Sequence, residues 1–280
     1  MSPTQPAAPL GTVLLTGAAG TLGRVLAAPL AAACRRLLRS DLPGPLAALG
    51  LGPGDARPCD LADRAAARQL LAGVDAVVHL GGVSTEQPFE PVLQANIRGV
   101  HNLYEAARLT GVRRIVFASS NHVTGCYGQD QTISPSDPPR PDGHYGLSKL
   151  FGEACAQLYF DRHGIETVSL RIGTATPTPP DRRALATWLS PGDLVRLVLA
   201  GLTARDVGAL VVYGISANTA RWYDAEAGWD RIGYRPLDDA EVYRTAVGHL
   251  LVSQDPASPM SRLQGGLFLG IGPFDDDGAG

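Results

Sequence analysis

Residues 12–23 read TVLLTGAAGTLG. Thr12 to Thr16 form a short apolar, β-branched run of the kind that makes a buried strand. GAAGTLG follows, and an apolar pattern of helical period continues to about Ala33. Strand, glycine-rich turn and helix in that order let backbone amides approach a pyrophosphate at the helix N-terminus. Gly17, Gly20 and Gly23 supply the small residues, with Thr21 and Leu22 between them. Their spacing departs from G-x-G-x-x-G, so the position directly after the first strand carries the reading. A second strand, about Arg36 to Arg39, runs into Asp41. An acid about 20 residues past such a loop hydrogen-bonds the ribose hydroxyls of the cofactor. Its charge would repel a 2′-phosphate, so NAD is expected rather than NADP.

Working outward, each further strand ends at residues suited to the same rim. In CDLAD (59–63), Asp60 and Leu61 lie where a strand end could meet the adenine, and Asp63 is placed to cap a helix starting near Arg64. Asp75 to Leu80 is a third buried strand, and Leu80, Gly81 and Gly82 offer close backbone approach to a ligand, with Ser84 just beyond. A long helix is expected from about Pro88 to Thr110; Asn96 within it has no evident helical role. Arg114 to Ser119 is the fourth strand, running into Ser120, Asn121 and His122. Residues 129–143 read as a loop, a helix reaches His163, and Glu166 to Ile172 is a further strand. The Pro-rich stretch 173–190 should cover the crevice. A helix over Pro191 to Leu202 and a strand over Ala209 to Tyr213 complete the alternation. Strands and helices alternating in this way give an α/β fold, a doubly wound parallel sheet. Residues 1–10 read as a disordered lead and 11–252 as one domain. Its small C-terminal substrate-binding part comes mainly from 173–190 and 215–247. Residues 253–280 read as a tail with a disordered acidic end, whose LFL piece is available for contacts between subunits.

The chemistry is expected on GHYGLSKLFGEACA, residues 143–156. Of the 24 Lys and Arg residues, all but Lys149 are arginine. Arg cannot replace Lys where a compact point charge is needed. Tyr145 lies one helical turn before Lys149, on the same face. A cation there should lower the phenol's pKa and let Tyr145 serve as general base on an alcohol.

Composition excludes several other classes. A net charge of −3 speaks against nucleic acid as a partner. No apolar run reaches membrane-spanning length, and MSPTQPAAPL does not read as a secretory signal. Cys34, Cys59, Cys126 and Cys155 are scattered, which suits reduced thiols in a cytoplasmic protein and argues against a metal site.

With GAAGTLG, Asp41, Asp60, Ser120 and YGLSK, the chain resembles the extended short-chain dehydrogenase/reductases, which have a Rossmann-type fold. The resemblance covers about residues 11–250, and Tyr-x-x-x-Lys is its most specific motif. HLGGVSTEQPFE, NIRGVHNLYEAAR, IVFASSNHVTGCY and PDGHYGLSKLFGE look like segments of the uronate dehydrogenases within that family. The resemblance implies NAD-dependent oxidation of D-galacturonate or D-glucuronate at C1 to the aldarolactone, in a homo-oligomer, a hexamer by that likeness. It implies pyrophosphate contacts at Gly17, Gly20, Thr21, Leu22 and Gly23. Asp41 would take the ribose and Asp60 with Leu61 the adenine. The catalytic set would be Ser120, Tyr145 and Lys149. Substrate contacts would fall to Ser84, Asn121, His122 and Arg183, the last gripping the sugar carboxylate. Thr174 stands where a serine is expected; it keeps the hydroxyl and adds a methyl group. A sugar-nucleotide epimerase or dehydratase would share the fold and the Tyr–Lys pair. It would usually need a larger C-terminal part, and a dehydratase an acid pair after the hydroxyl residue, where Asn121 and His122 stand. A non-catalytic NAD-sensing regulator would have no need of the pair.

Overall fold

The computed structural model describes residues 10–52, 54–272 and 274. The apolar run ahead of the glycine turn is β1 (Leu10–Thr16), followed by α1 (Thr21–Ala33) and β2 (Cys34–Ser40). The lead expected over 1–10 falls outside the described residues except for Leu10, which belongs to β1. After α2 (Pro43–Ala47) comes α3 (Arg64–Leu70). Asp63 caps α3 as expected, its carboxylate accepting from the amides of Ala65 and Ala66. Next is β3 (Ala76–His79). The expected long helix exists but is interrupted: α4 (Phe89–Val92) passes through a π-helical turn, Leu93–Arg98, into α5 (Gly99–Thr110). β4 (Arg114–Ser120), α6 (His144–His163) and β5 (Glu166–Ile172) follow.

The Pro-rich stretch is more ordered than a plain loop. β6 (Thr174–Ala175) pairs with β7 (Trp188–Leu189) around α7 (Ala184–Thr187). Then come α8 (Pro191–Thr203) and β8 (Ala209–Gly214). The expected small helical pieces beyond 215 are α9 (Glu226–Ile232), a 3₁₀ turn and α10 (Arg244–Val247).

The main sheet is wholly parallel, in the order β2-β1-β3-β4-β5-β8. A single bridge from Arg39 to Ala56 stands beyond β2, where a further strand would lie. Strand order reverses at β1, which has β2 on one side and β3 on the other, and a ligand crevice opens at such a point. Alternate residues feed two cores, as a sheet covered on both faces requires. Val13, Leu15 and Val78 pack on one face with Leu26 and Leu197; Leu14, Val77 and Phe117 pack on the other with Leu103 and Tyr159.

The C-terminal segment does not trail away. α11 (Pro259–Arg262) and a 3₁₀ turn, Gly266–Gly270, fold back on this same chain, with Gln264 wholly buried. Phe268 packs within the protomer, against the ring of His122, while Leu267 beside it is exposed. The acidic end, 275–280, lies outside the described residues. Among the described residues no helix is long and apolar enough to cross a membrane.

Candidate active site

A cleft of about 310 Å³ opens at the C-terminal ends of β1 and β3. Thr16, Gly17, Asp41, Asp60, Leu61, Gly81 and Gly82 are among the residues that line it. Gly17 has a left-handed backbone with φ of 66°, and a side chain on it would run into the backbone of Leu80 and Gly81. A side chain on Gly23 would strike Gly17 and Ala18, so α1 packs tightly beneath the turn. Thr21 is exposed at the first turn of α1 and Leu22 half-buried. Asp41 Oδ2 accepts from the Ala19 amide at 2.9 Å and Oδ1 from Leu42 at 2.9 Å. The carboxylate is thereby fixed at the mouth with lone pairs to spare. Glycine cradle, fixed acid and apolar Leu61 wall fit a dinucleotide.

Two of the site loops are clamped from behind. Asn96, in the π turn, accepts from Val83 N–H at 2.8 Å and donates to the Val83 carbonyl and the Ser148 hydroxyl. This explains the polar residue that had no helical role: the widened turn aims it at the Gly81–Val83 loop, and such turns recur at functional sites. Glu86, buried, accepts from the amides of His144 at 2.8 Å and Tyr145 at 2.9 Å. It thus caps α6, whose own N-cap residue, Gly143, has no side chain to do so.

Tyr145 and Lys149 share one face of α6, both buried. Lys149 Nζ lies 5.4 Å from the centre of the Tyr145 ring and 5.3 Å from that of Phe117. Burial lowers the lysine to about 8. Burial also pushes the Tyr145 phenol up to about 12, while the Ser120 hydroxyl pulls the other way. The expectation of a phenol lowered by Lys149 is therefore corrected for the protein without ligand. The ammonium sits over the ring rather than at the oxygen, and desolvation outweighs it.

Ser120, Asn121 and His122 follow β4 directly, all buried. Ser120 Oγ accepts from the His122 amide, and Asn121 Nδ2 donates to the Tyr223 hydroxyl at 3.3 Å. His122 Nδ1 bonds Asp142 at 2.6 Å. Its ring is stacked on Phe268, centroids 3.7 Å apart, and meets the edge of Tyr145 at 5.8 Å. Arg183 precedes α7, with Nε donating to the Gln264 carbonyl at 2.6 Å and Nη1 reaching Thr174 Oγ1 at 3.4 Å. Its Nη2 is buried with no partner among the described residues. A side chain on Gly265 would meet Asp142 and one on Gly266 would meet Arg183, so one turn of the chain touches both. Ser84 is not drawn into this group; it lies exposed on the loop between Gly82 and Glu86.

Sequence reasoning missed Glu86, Asp142, Tyr223, Gln264 and Phe268. It also missed the network behind β4, where Arg171 grips Glu153 with two bonds and Ser119 donates to the same carboxylate. Arg171, a charge near the C-terminal end of the buried strand ETVSLRI, was the available signal.

Fold and site together define a dinucleotide-binding α/β protein with a tyrosine and a lysine one helical turn apart beside the cleft. The profile of the NAD dependent epimerase/dehydratase family matches residues 13–208, and the chain belongs to that family. It is 48% identical over 268 residues to a uronate dehydrogenase of Pseudomonas syringae pv. tomato, covering 96% of each chain. A crystal structure of uronate dehydrogenase from Agrobacterium tumefaciens superimposes with a TM-score of 0.88 at 45% identity, covering 95% of this chain and 99% of that one. A tyrosine-to-alanine mutant of uronate dehydrogenase from that organism, solved in complex with NAD, gives a TM-score of 0.88 at 44% identity, over 95% of this chain and all of that one.

Proposed function

We propose that the protein oxidises D-galacturonate or D-glucuronate at C1 to the aldarolactone with NAD as acceptor. The observation that carries this reading is the pairing of a Tyr145–Lys149 face beside a dinucleotide cleft with Arg183, whose Nη2 is buried and unbonded. The likeness to uronate dehydrogenases over nearly the whole chain supports it. The cofactor would be held by Gly17, Gly20, Thr21, Leu22 and Gly23 at the pyrophosphate. Asp41 would hold the ribose, Asp60 and Leu61 the adenine, and Leu80, Gly81 and Gly82 the rim. NAD supplies the hydride acceptor and, in its oxidised ring, a positive charge that opposes the burial now holding Tyr145 up.

The chain's own residues do the rest. Tyr145 Oη takes the proton of the C1 hydroxyl as general base, and Ser120 Oγ holds that oxygen where charge develops. Lys149 keeps a positive charge beneath the Tyr145 ring and steadies the cofactor's second ribose. Arg183 offers its free Nη2–H to the sugar carboxylate, an interaction stronger than a neutral hydrogen bond. Asn121, His122 and Thr174 present polar atoms to the sugar hydroxyls, and Ser84 closes the rim. Assembly into a homo-oligomer, a hexamer, belongs to the same proposal; exposed Leu147 and Leu158 on α6 give that helix an outward apolar edge.

Spectrophotometry of NADH formation with free uronates, neutral hexoses and nucleotide sugars tests the reading. Turnover confined to free uronates is expected. Turnover with nucleotide sugars and none with free uronates would overturn it in favour of an epimerase- or dehydratase-like role.

A further inference from the structure

Asp142 is a wholly buried acid in the Pro- and Asp-rich loop ahead of α6. Three glycines from three separate segments make room for it. A side chain on Gly125 or on Gly265 would land on its carboxylate, and one on Gly146 would crowd both its Oδ1 and the His122 carbonyl. Space cleared on three sides for a charged group, with no cation bonded to it, calls for an explanation, because burying a carboxylate is costly unless it is bonded. Among the described residues its one side-chain partner is His122, at 2.6 Å, and Oδ1 has none.

A carboxylate accepts hydrogen bonds and cannot donate them, so His122 Nδ1 must carry a proton. Burial, the largest influence on the ring, lowers its pKa, so at neutral pH the other nitrogen, Nε2, is bare. No described residue bonds Nε2. The ring is held between the face of Phe268 and the edge of Tyr145.

We propose that Asp142 is a positioning residue that fixes His122 as a hydrogen-bond acceptor, so that this corner of the pocket takes a donating hydroxyl of the sugar. The proposal rests on the functional reading above, and it separates two neighbouring roles. Arg183 selects the carboxylate by donating; His122, locked by Asp142, selects a hydroxyl by accepting. Protonation of His122 turns Nε2 into a donor and ends that selection, so acid should remove activity. The charges facing the ring are Asp142 and Glu86, which favour its proton, and Arg183, which opposes it; Tyr145 meets it by its edge.

Asp142→Asn keeps the shape but lets the amide donate to Nδ1, which moves the ring proton to Nε2. It should lower kcat/KM for the uronate at neutral pH by about 5- to 150-fold, the cost of a buried hydroxyl left without its acceptor. It should also move the acid limb of the kcat/KM profile to lower pH, because the carboxylate that favoured the imidazolium is gone. A merely structural role would depress activity evenly and leave the limb in place. A loss under about threefold, within the range of an ordinary surface change, or an unmoved limb overturns the proposal. If the variant does not fold, nitrogen-15 NMR of the unmodified protein decides instead, with His122 assigned by comparison with His122→Asn. The Nδ1–H tautomer is expected, and the Nε2–H tautomer overturns the proposal. Failure of the unmodified protein to form NADH with any uronate is a separate result. It overturns the functional reading and the hydroxyl-accepting role with it, while the NMR still decides the tautomer.

Discussion

Lys149→Met keeps most of the length of the lysine side chain and removes its charge. Lys149 is buried, its ammonium lies over two aromatic rings, and no acid among the described residues pairs with it. Burial lowers its pKa from 10.5 to about 8. The folded value is below the unfolded one, so folding disfavours the charged form. Below pH about 8 the side chain is charged in both states and the whole penalty stands. A tenfold change in proton affinity corresponds to about 1.36 kcal/mol, so that penalty is about 3 kcal/mol. It is relieved as pH rises from about 8 to about 10.5, where the side chain is neutral in both states. Lys149→Met should therefore stabilise the protein at pH 7, with a gain in Tm of roughly 5–10 °C for a chain of this size. The gain should shrink toward pH 10. Activity should fall by at least about 100-fold, the lower end for a group that supports general-base catalysis. Paired thermal melts of parent and variant at pH 7 and pH 10, with NADH assays at pH 7, test both halves. A variant no more stable than the parent at pH 7 would refute the burial argument. Near-normal turnover would refute the functional one and leave the lone lysine an accident of composition.

Other substitutions probe the remaining contacts. Lys149→Arg retains charge in a larger, planar group, and a folded protein with little NADH-forming activity is expected; full activity would count against a point-charge role. Arg183→Ala should lower kcat/KM for uronates by about 10- to 150-fold and leave NAD affinity unchanged by calorimetry, while exposed Arg182→Ala should change little; equal losses in the two would remove Arg183 as the carboxylate partner. Asp41→Ala should narrow a strong preference for NAD over NADP, and equal kcat/KM with the two cofactors in the unmodified protein would sink the ribose assignment. Glu86→Gln can accept from only one of the His144 and Tyr145 amides, so kcat should drop and the melting temperature fall by an amount matching about 1–3 kcal/mol; unchanged values of both would show that Glu86 does not hold α6.

The fold was legible because its signals are local. Thr12 to Gly23 places strand, turn and helix within a dozen residues, and the ends read for each later strand of the main sheet lie within two residues of the observed ones. Asp41 and the Tyr145–Lys149 pair were legible for the same reason, since fixed spacing on a regular element sets their positions. What escaped lies at long range. Glu86 meets His144 across 58 residues and Asp142 meets His122 across 20. Phe268 reaches His122 from a segment that reads as a tail. No periodicity encodes such contacts, because irregular loops set them. The pKa of Tyr145 was misjudged for a related reason: spacing puts Lys149 on the right face, but burial depth and the ammonium's place over the ring are tertiary facts.

The buried charges of the site are not balanced alike. Each acid already has N–H groups of this chain: Glu86 takes two amides, and Asp142 takes His122 on one oxygen. The cations are less satisfied. Arg183 spends Nε on a carbonyl and Nη1 on a hydroxyl, neither of them charged, and keeps Nη2 buried and free. Lys149 lies over two aromatic faces and has no acid partner among the described residues. A pocket built this way is short of one negative group, and a buried donor left unbonded costs about 1–3 kcal/mol, more when it is charged. With Arg183 in its proposed role, a uronate carboxylate would relieve that cost on binding, while a neutral hexose of the same shape would leave it standing. Discrimination against neutral sugars would then follow from the protein's own unsatisfied cation and would need no clash with the wrong substrate. It should survive changes at the hydroxyl-binding residues and fail only when Arg183 itself is replaced.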